Sequence, residues 1–328
     1  MTQDSQSGSV PTEGALDIVI PFQVDALEAR GRVVQMGPAI NRMLARHDYP
    51  EPVAQLLAEM VVLTVLLGTA LKFNGKFIVQ TQTDGPVSLL VVDFVTPDAV
   101  RAYARYDADA VAYAVDNAAT APEQMLGKGM LVLTVDQGKY MKRYQGIVQL
   151  DGTSLEEIAH NYFRQSEQIP TQVRLEVGRF DVDGERQWRA AGLLAQFLPE
   201  SEERMKTGDL PGGDIPEGVV VPDIDVDDAW TEIQALVGTL GADELLDEQL
   251  GPHGLLYRLF HERGVRVYDG LTVEEKCSCS PEKVQAVIEN MSDNDRAESV
   301  EDGVIKIKCE FCSTSYNFDS DGKQIMPN

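Results

Sequence analysis

The sequence predicts an α+β fold in three parts. These are a large N-terminal α+β domain over residues 1–200, an acidic and partly helical linker over 201–275, and a small C-terminal four-cysteine zinc-binding domain over 276–328. Three observations predict it. Apolar, β-branched runs recur in pairs with a few helical stretches between them, without the regular strand–helix alternation of a parallel α/β sheet. The composition shifts at Pro199, and Asp209 to Tyr257 carries twelve acidic residues with no Lys or Arg. All four cysteines fall in the last 52 residues.

Residues 1–20 are polar, with Ser, Gly and Thr, and are expected to fray. A first helix is expected from Pro38, with Ile40, Met43 and Leu44 on one face. His47-Asp48-Tyr49-Pro50 breaks it, because a residue before proline avoids the helical region. Pro52 suits the first turn of a second helix, which carries the apolar run Met60–Leu71 between Glu59 and Lys72. That run falls short of the roughly 20 residues that span a bilayer, so it reads as a buried core helix and no membrane is expected.

Strand signals follow. Lys76–Gln82 and Val87–Val92 flank Asp84-Gly85-Pro86, the pattern of a hairpin. Met130–Val135 and Tyr140–Leu150 form a second pair around Asp136-Gln137-Gly138-Lys139. Ser154 with Glu157 matches a capping box that opens a helix through Ser166. Thr171–Phe180 and Arg189–Leu198 add further strand around the turn Asp181–Gly184. In the acidic linker, the Pro- and Gly-containing first half reads as a flexible insertion. The second half places Ala229, Ile233, Leu236 and Val237, and then Leu255, Leu256, Leu259 and Phe260, at helical spacing. Apolar faces of this kind are expected to dock.

Composition narrows the function. With 43% hydrophobic and 25% charged residues the chain is ordinary globular material, but 28 basic against 53 acidic residues give a net charge of −25. Phosphate contacts need Lys and Arg, so no nucleic-acid partner is expected. Met1–Ala15 contains Asp4 and Glu13, no Lys or Arg, and no apolar run, so a secretion signal is not expected. The expected compartment is the cytoplasm, where thiols stay reduced.

The cysteines form two close pairs, Cys277-Ser-Cys279 and Cys309-Glu-Phe-Cys312, separated by 29 residues. Such spacing can bring four sulfurs to one tetrahedral Zn²⁺. The same pairs are close enough for two local disulfides, so two chemistries are open. His47, His160, His253 and His261 lie outside the cluster, which makes an all-cysteine site the simplest ligand set. A helix at Pro281–Met291, a strand at Val304–Lys308 and a partner strand at Ser315–Phe318 would set the second pair on a hairpin turn.

Competing readings are weaker. A thioredoxin-like site needs its C-x-x-C to open a helix inside a βαβ unit, whereas Ser313-Thr314-Ser315-Tyr316 reads as turn and strand. A nucleic-acid-binding ribbon has Lys276, Lys283, Lys306 and Lys308 in its favour and the acidic balance against it. Asp223-Ile-Asp225-Val-Asp227 starts like a calcium loop but has Asp228 where Gly is needed and Gln234 where Glu is needed. Gly127-Lys128 is followed by Gly129, not the Ser or Thr of a phosphate-binding loop. No catalytic residue is assigned, and the chain is not expected to be an enzyme. Zinc would hold the sulfurs as thiolates, the form that oxidants attack. Binding of this type contributes about 10–16 kcal/mol to folding a small domain, so its loss would unfold the tail.

At this point the chain resembles the redox-regulated thirty-three-kilodalton heat-shock chaperone family. The resemblance runs from about Phe22 to Phe318. It is carried by His47-Asp48-Tyr49-Pro50, Leu71-Lys72-Phe73-Asn74-Gly75, Thr83-Asp84-Gly85-Pro86, Arg143-Tyr144-Gln145-Gly146, Tyr162-Phe163-Arg164-Gln165-Ser166-Glu167-Gln168, Tyr257-Arg258-Leu259-Phe260-His261 and the cysteine motif. It implies one Zn²⁺ held by Cys277, Cys279, Cys309 and Cys312 in a reduced, inactive state. It also implies that oxidation joins Cys277 to Cys279 and Cys309 to Cys312, releases zinc and unfolds the linker. The family is an ATP-independent holdase that binds unfolding client proteins under oxidative and heat stress, as a homodimer when active. Residues 201–225 look like an insertion relative to the family's usual linker. The alternative is a protein-interaction module whose four-cysteine zinc site is purely structural.

Overall fold

The computed structural model describes residues 16–138, 144–151, 154–198, 228–320 and 322–325. The expected insertion at 201–225, the chain start at 1–15 and Tyr140–Arg143 lie outside these residues. Strands β1 (Ile18–Val24) and β2 (Ala29–Met36) form an antiparallel pair that the sequence patterning did not mark. The frayed start therefore ends earlier than expected. Asp17 is buried and accepts hydrogen bonds from the Gly37 and Ala39 amides at 2.9 and 2.8 Å, satisfying the exposed N–H groups at the start of α1 (Pro38–Ala45). Helix α2 (Glu51–Ala70) has mean hydropathy 1.9 and the length of a membrane span, but 78% of that window is buried inside the protein. It is the core helix expected of the Met60–Leu71 run.

The hairpin β3 (Lys76–Thr83)–β4 (Val87–Val95) forms as expected, and β5 (Ala99–Tyr106) continues it. Short helices α3 (Ala108–Asp116) and α4 (Pro122–Leu126) lead to the second expected hairpin, β6 (Lys128–Asp136) with β7 (Tyr144–Asp151). Ser154 accepts from the Glu157 amide at 3.2 Å and opens α5 (Leu155–Tyr162), which passes into a π-turn over Phe163–Glu167. The long hairpin β8 (Thr171–Val182)–β9 (Glu185–Phe197) then joins β2. With three short strands from later in the chain, β10 (Arg266–Val267), β11 (Leu271–Thr272) and β12 (Glu274–Glu275), two six-stranded sheets result, in the order β10-β1-β2-β9-β8 with β11 on β1, and β12-β5-β4-β3-β6-β7. Helix α2 packs between them, against β2, β8 and β9 on one side and β3, β4 and β5 on the other. Its Val62, Leu63 and Leu66 share one buried cluster with Val34, Leu194, Val79 and Phe94.

The first sheet is covered on its other face too. Helices α6 (Asp228–Gly238), α7 (Ala242–Leu245) and α8 (Gly251–Phe260) bury Trp230, Ile233, Val237, Leu255, Leu256 and Phe260 against Ile20, Phe22, Val33 and Leu193. A Cβ at Gly31 would lie 2.3 Å from the Phe22 ring, so only glycine there lets Phe22 stack on Phe260, at 5.4 Å between centroids. Gln35 adds a buried polar tie, donating to the Leu245 carbonyl at 2.8 Å. The apolar faces of the acidic segment are thus docked in this structure. His261, at the end of α8, is exposed.

From α8 the chain re-enters both sheets. Strands β10 (Arg266–Val267) and β11 (Leu271–Thr272) pair with β1, and β12 (Glu274–Glu275) runs parallel to β5. The remainder holds α9 (Pro281–Glu289), α10 (Asp293–Glu298) and a three-stranded sheet of β13 (Val300–Glu301), β14 (Val304–Lys308) and β15 (Ser315–Phe318). Its buried apolar cluster consists of Ile288, Ile305 and Phe318. The architecture is the α+β arrangement expected, with the cysteines together at its C-terminal end.

Candidate metal centre

Two elements aim the four cysteines at one another. Pairing of β12 with β5, extended by the Lys276 amide donating to the Val100 carbonyl at 3.0 Å, delivers Cys277 and Cys279 beside the second sheet. Arg46 grips the strand through the Glu275 carboxylate at 3.1 and 2.9 Å, with that side chain 5% exposed. On the other side, the β14–β15 hairpin places Cys309 and Cys312 at its turn. The Ser313 amide donates to the Cys309 carbonyl at 2.8 Å and the Cys309 amide to the Thr314 carbonyl at 2.9 Å. Ser313 takes φ 57°, the left-handed conformation that reverses the chain. This is the knuckle geometry expected from the spacing.

The four sulfurs lie within 4.8 Å of one another. Cys277 and Cys309 Sγ are 3.8 Å apart, and Cys279 and Cys312 Sγ 3.3 Å. The nearest neighbours therefore come from opposite pairs, the arrangement of one four-ligand site rather than two separate dithiols. Around it stand donors. The Tyr316 hydroxyl donates to Cys279 Sγ at 3.1 Å, the Thr314 hydroxyl lies 3.2 Å from Cys312 Sγ, and Arg101 Nη1 is 3.6 Å from Cys277 Sγ. A thiolate accepts such bonds far better than a thiol.

Burial, with neighbouring thiols adding to it, pushes Cys279 up to about 12 against the Tyr316 bond, and burial also raises Cys309. At Cys312 burial works the same way, but hydrogen bonds from Thr314 and the sharing of protons with Cys279 and Cys309 bring it down to about 6. Cys312 is thus set apart as the thiolate, and a divalent cation would draw the protons from Cys279 and Cys309. The donor set fits a soft, tetrahedral metal such as Zn²⁺.

Sequence reasoning named the four cysteines and missed what surrounds them. Arg101 pairs with Asp93 directly across the β4–β5 ladder, through Nε at 2.8 Å and Nη2 at 2.5 Å. His47 directs Nε2 to the Phe311 carbonyl at 3.2 Å, and burial lowers its pKa. Nothing in a lone Arg or His marks a contact more than 170 residues away along the chain, as the 176 separating Arg101 from Cys277 illustrates. The His47-Asp48-Tyr49-Pro50 cluster was the only usable hint.

Comparison with known proteins extends the picture. The family model described as Hsp33 protein matches residues 17–319. The 33 kDa chaperonin of Caulobacter vibrioides is 43% identical over 316 residues, covering 95% of this chain and 98% of that protein. The 33 kDa chaperonin of Pseudomonas aeruginosa is 37% identical over 309 residues, covering 93% of each. The crystal structure of the 33 kDa chaperonin from Thermotoga maritima aligns with a TM-score of 0.71 at 18% identity, over 93% of this chain and 95% of that one, a likeness of fold. On the extent of these matches, together with the cysteine cluster, the chain belongs to the Hsp33 family.

Proposed function

We propose that this member of a chaperone family is a redox-regulated, ATP-independent holdase of the cytoplasm. Reduced Cys277, Cys279, Cys309 and Cys312 hold one Zn²⁺, which supplies a stable thiolate centre and ties the two segments of the tail together. Oxidation joins Cys277 to Cys279 and Cys309 to Cys312. In each step two thiolate sulfurs form one S–S bond, and two electrons with two protons convert one peroxide to two waters. No thiolate then remains to hold the metal. The tail loosens, and the segment that leads back from Cys277 through β12, β11 and β10 weakens its hold on α6–α8. The apolar faces of Phe22, Ile20, Leu193, Leu256 and Phe260 become available to unfolding clients, with the active form a homodimer.

The observation that carries this reading is the direct covalent path from a four-thiol cluster to helices that cover an apolar sheet face. It is checked by zinc content and free-thiol count before and after mild peroxide treatment, alongside aggregation of a thermally denaturing client. Four thiols and one zinc falling to two disulfides and none, with aggregation suppressed only after oxidation, is the expected result. Zinc retained and aggregation unaffected would leave a structural zinc module.

A further inference from the structure

One side chain of the second sheet touches both segments that carry the cysteine pairs. Arg101 leaves β5 on the face away from α2, with its side chain 16% exposed. Its Nη1 reaches Cys277 Sγ at 3.6 Å, and its guanidinium carbon lies 3.9 Å from the centroid of the Phe311 ring. Phe311 stands between Cys309 and Cys312, so the same guanidinium meets the first pair through a sulfur and the second through an aromatic face. Tyr103, two residues along the same strand, faces the Phe311 ring at 6.3 Å, and His47 holds its carbonyl. Asp93, 4% exposed, anchors Arg101 from across the ladder and also pairs with Lys76 at 3.2 Å.

Charge gives this contact a direction. Two cations over one carboxylate leave a net positive charge at the sheet surface. Four thiolates around a divalent cation leave a doubly negative centre. The two surfaces attract while the centre is reduced. After each pair of thiolates becomes a disulfide, the sulfurs carry no charge and accept hydrogen bonds weakly, so the guanidinium keeps its Asp93 partner but loses the negative charge that drew the cysteine centre to it.

We propose that Arg101 is a latch that holds the reduced cysteine centre, through Cys277 and Phe311, against the core sheet and lets go when that centre is oxidised. This rests on the redox reading above and names the residue through which the core responds to it. Arg101 is a positioning residue: it acts through the sulfur and the ring it touches.

The test uses the full-length protein, reduced and zinc-loaded. Because Arg101→Ala would leave the buried Asp93 with Lys76 alone, the informative variants are Asp93→Asn/Arg101→Gln, which keeps an amide pair without charge, and Phe311→Leu, which leaves the Asp93 pair intact. Zinc release at fixed peroxide, followed with a chromogenic chelator, should be about three- to tenfold faster in both variants, the scale of one partly desolvated cation–π contact. Hydrogen exchange at residues 309–313 should accelerate in the reduced variants toward the oxidised wild-type rate. In the oxidised state the substitutions should change nothing. Unaltered release and unaltered protection in a variant that binds one zinc would overturn the latch. So would an effect of equal size in both redox states, which marks a merely structural pair. A wild-type protein that keeps its zinc under peroxide fails at the earlier step, overturning the redox reading and the latch with it.

Discussion

Glu59 lies on α2 in the side of the helix that meets α5 and β8, an uncommon place for a carboxylate. Burial pushes its pKa up to about 8, with Glu156, Glu176 and Glu123 adding repulsion, from an ordinary value of 4.5. The folded protein therefore keeps this proton over a range where the unfolded chain has lost it. Its contribution is fully favourable below pH 4.5, declines as pH rises toward 8, and is constant above that. Glu59→Gln removes the charge without changing the shape. Melting curves should show the variant gaining on the wild type steadily between those pH values, with the difference level at more alkaline pH. A Gln variant less stable at pH 8 would mean that an ionised carboxylate is needed there.

Among the elements, α6–α8 decide whether the first sheet is a two-sided core or an exposed apolar face. Ile233, Val237 and Leu256 are fully covered there. Leu256→Ala should weaken the docking by about 2–5 kcal/mol. The reduced, zinc-bound variant should then suppress client aggregation without oxidant, and its α8 amides should exchange faster. Full stability with activity still oxidant-dependent would show that the docking is not what restrains the protein. The helices themselves were legible, since the spacing of Ala229, Ile233, Leu236 and Val237 and of Leu255 to Phe260 is amphipathic. So were the hairpins β3–β4 and β8–β9, whose turns carry Asp-Gly, and β6–β7, whose connection begins Asp136-Gln137-Gly138. Strands β1 and β2 were not, and the reason is physical. A strand covered on both faces loses its alternation, so Ile18-Val19-Ile20-Pro21-Phe22 reads as a featureless apolar run with a proline in it. The run Ala190-Ala191-Gly192-Leu193-Leu194-Ala195 has the same cause, since α2 covers one face of β9 and α6–α8 the other. The clustering of the four cysteines was legible because the spacing within each pair is local. Arg101, Asp93 and His47 were not, because their relation to the cysteines exists only after the sheets form.

For the whole molecule, three buried clusters of very different size set the order in which parts can come apart. The first surrounds α2 and draws on both sheets, the second lies beneath α6–α8, and the third rests on Ile288, Ile305 and Phe318. A unit with so few fully buried apolar side chains lacks the burial that stabilises small domains, which below about 40 residues generally depend on a metal or disulfide. Zinc binding worth about 10–16 kcal/mol would dominate its stability, whereas the first cluster needs no such aid. Chelation of the reduced protein should therefore make the amides of β14 and β15 exchange within the fastest class while those of β3 and β9 stay protected. The linker helices should fall between, because β10–β12 tether them to β1 and β5 even when the cysteines are free. Hydrogen exchange with and without chelator resolves the three. If all three lost protection together, the molecule would be one cooperative unit, and a metal at one end could not release the linker while the core stays folded. If only the tail responded, metal loss alone would fall short of activation, and the disulfides themselves would have to drive the helices from the sheet.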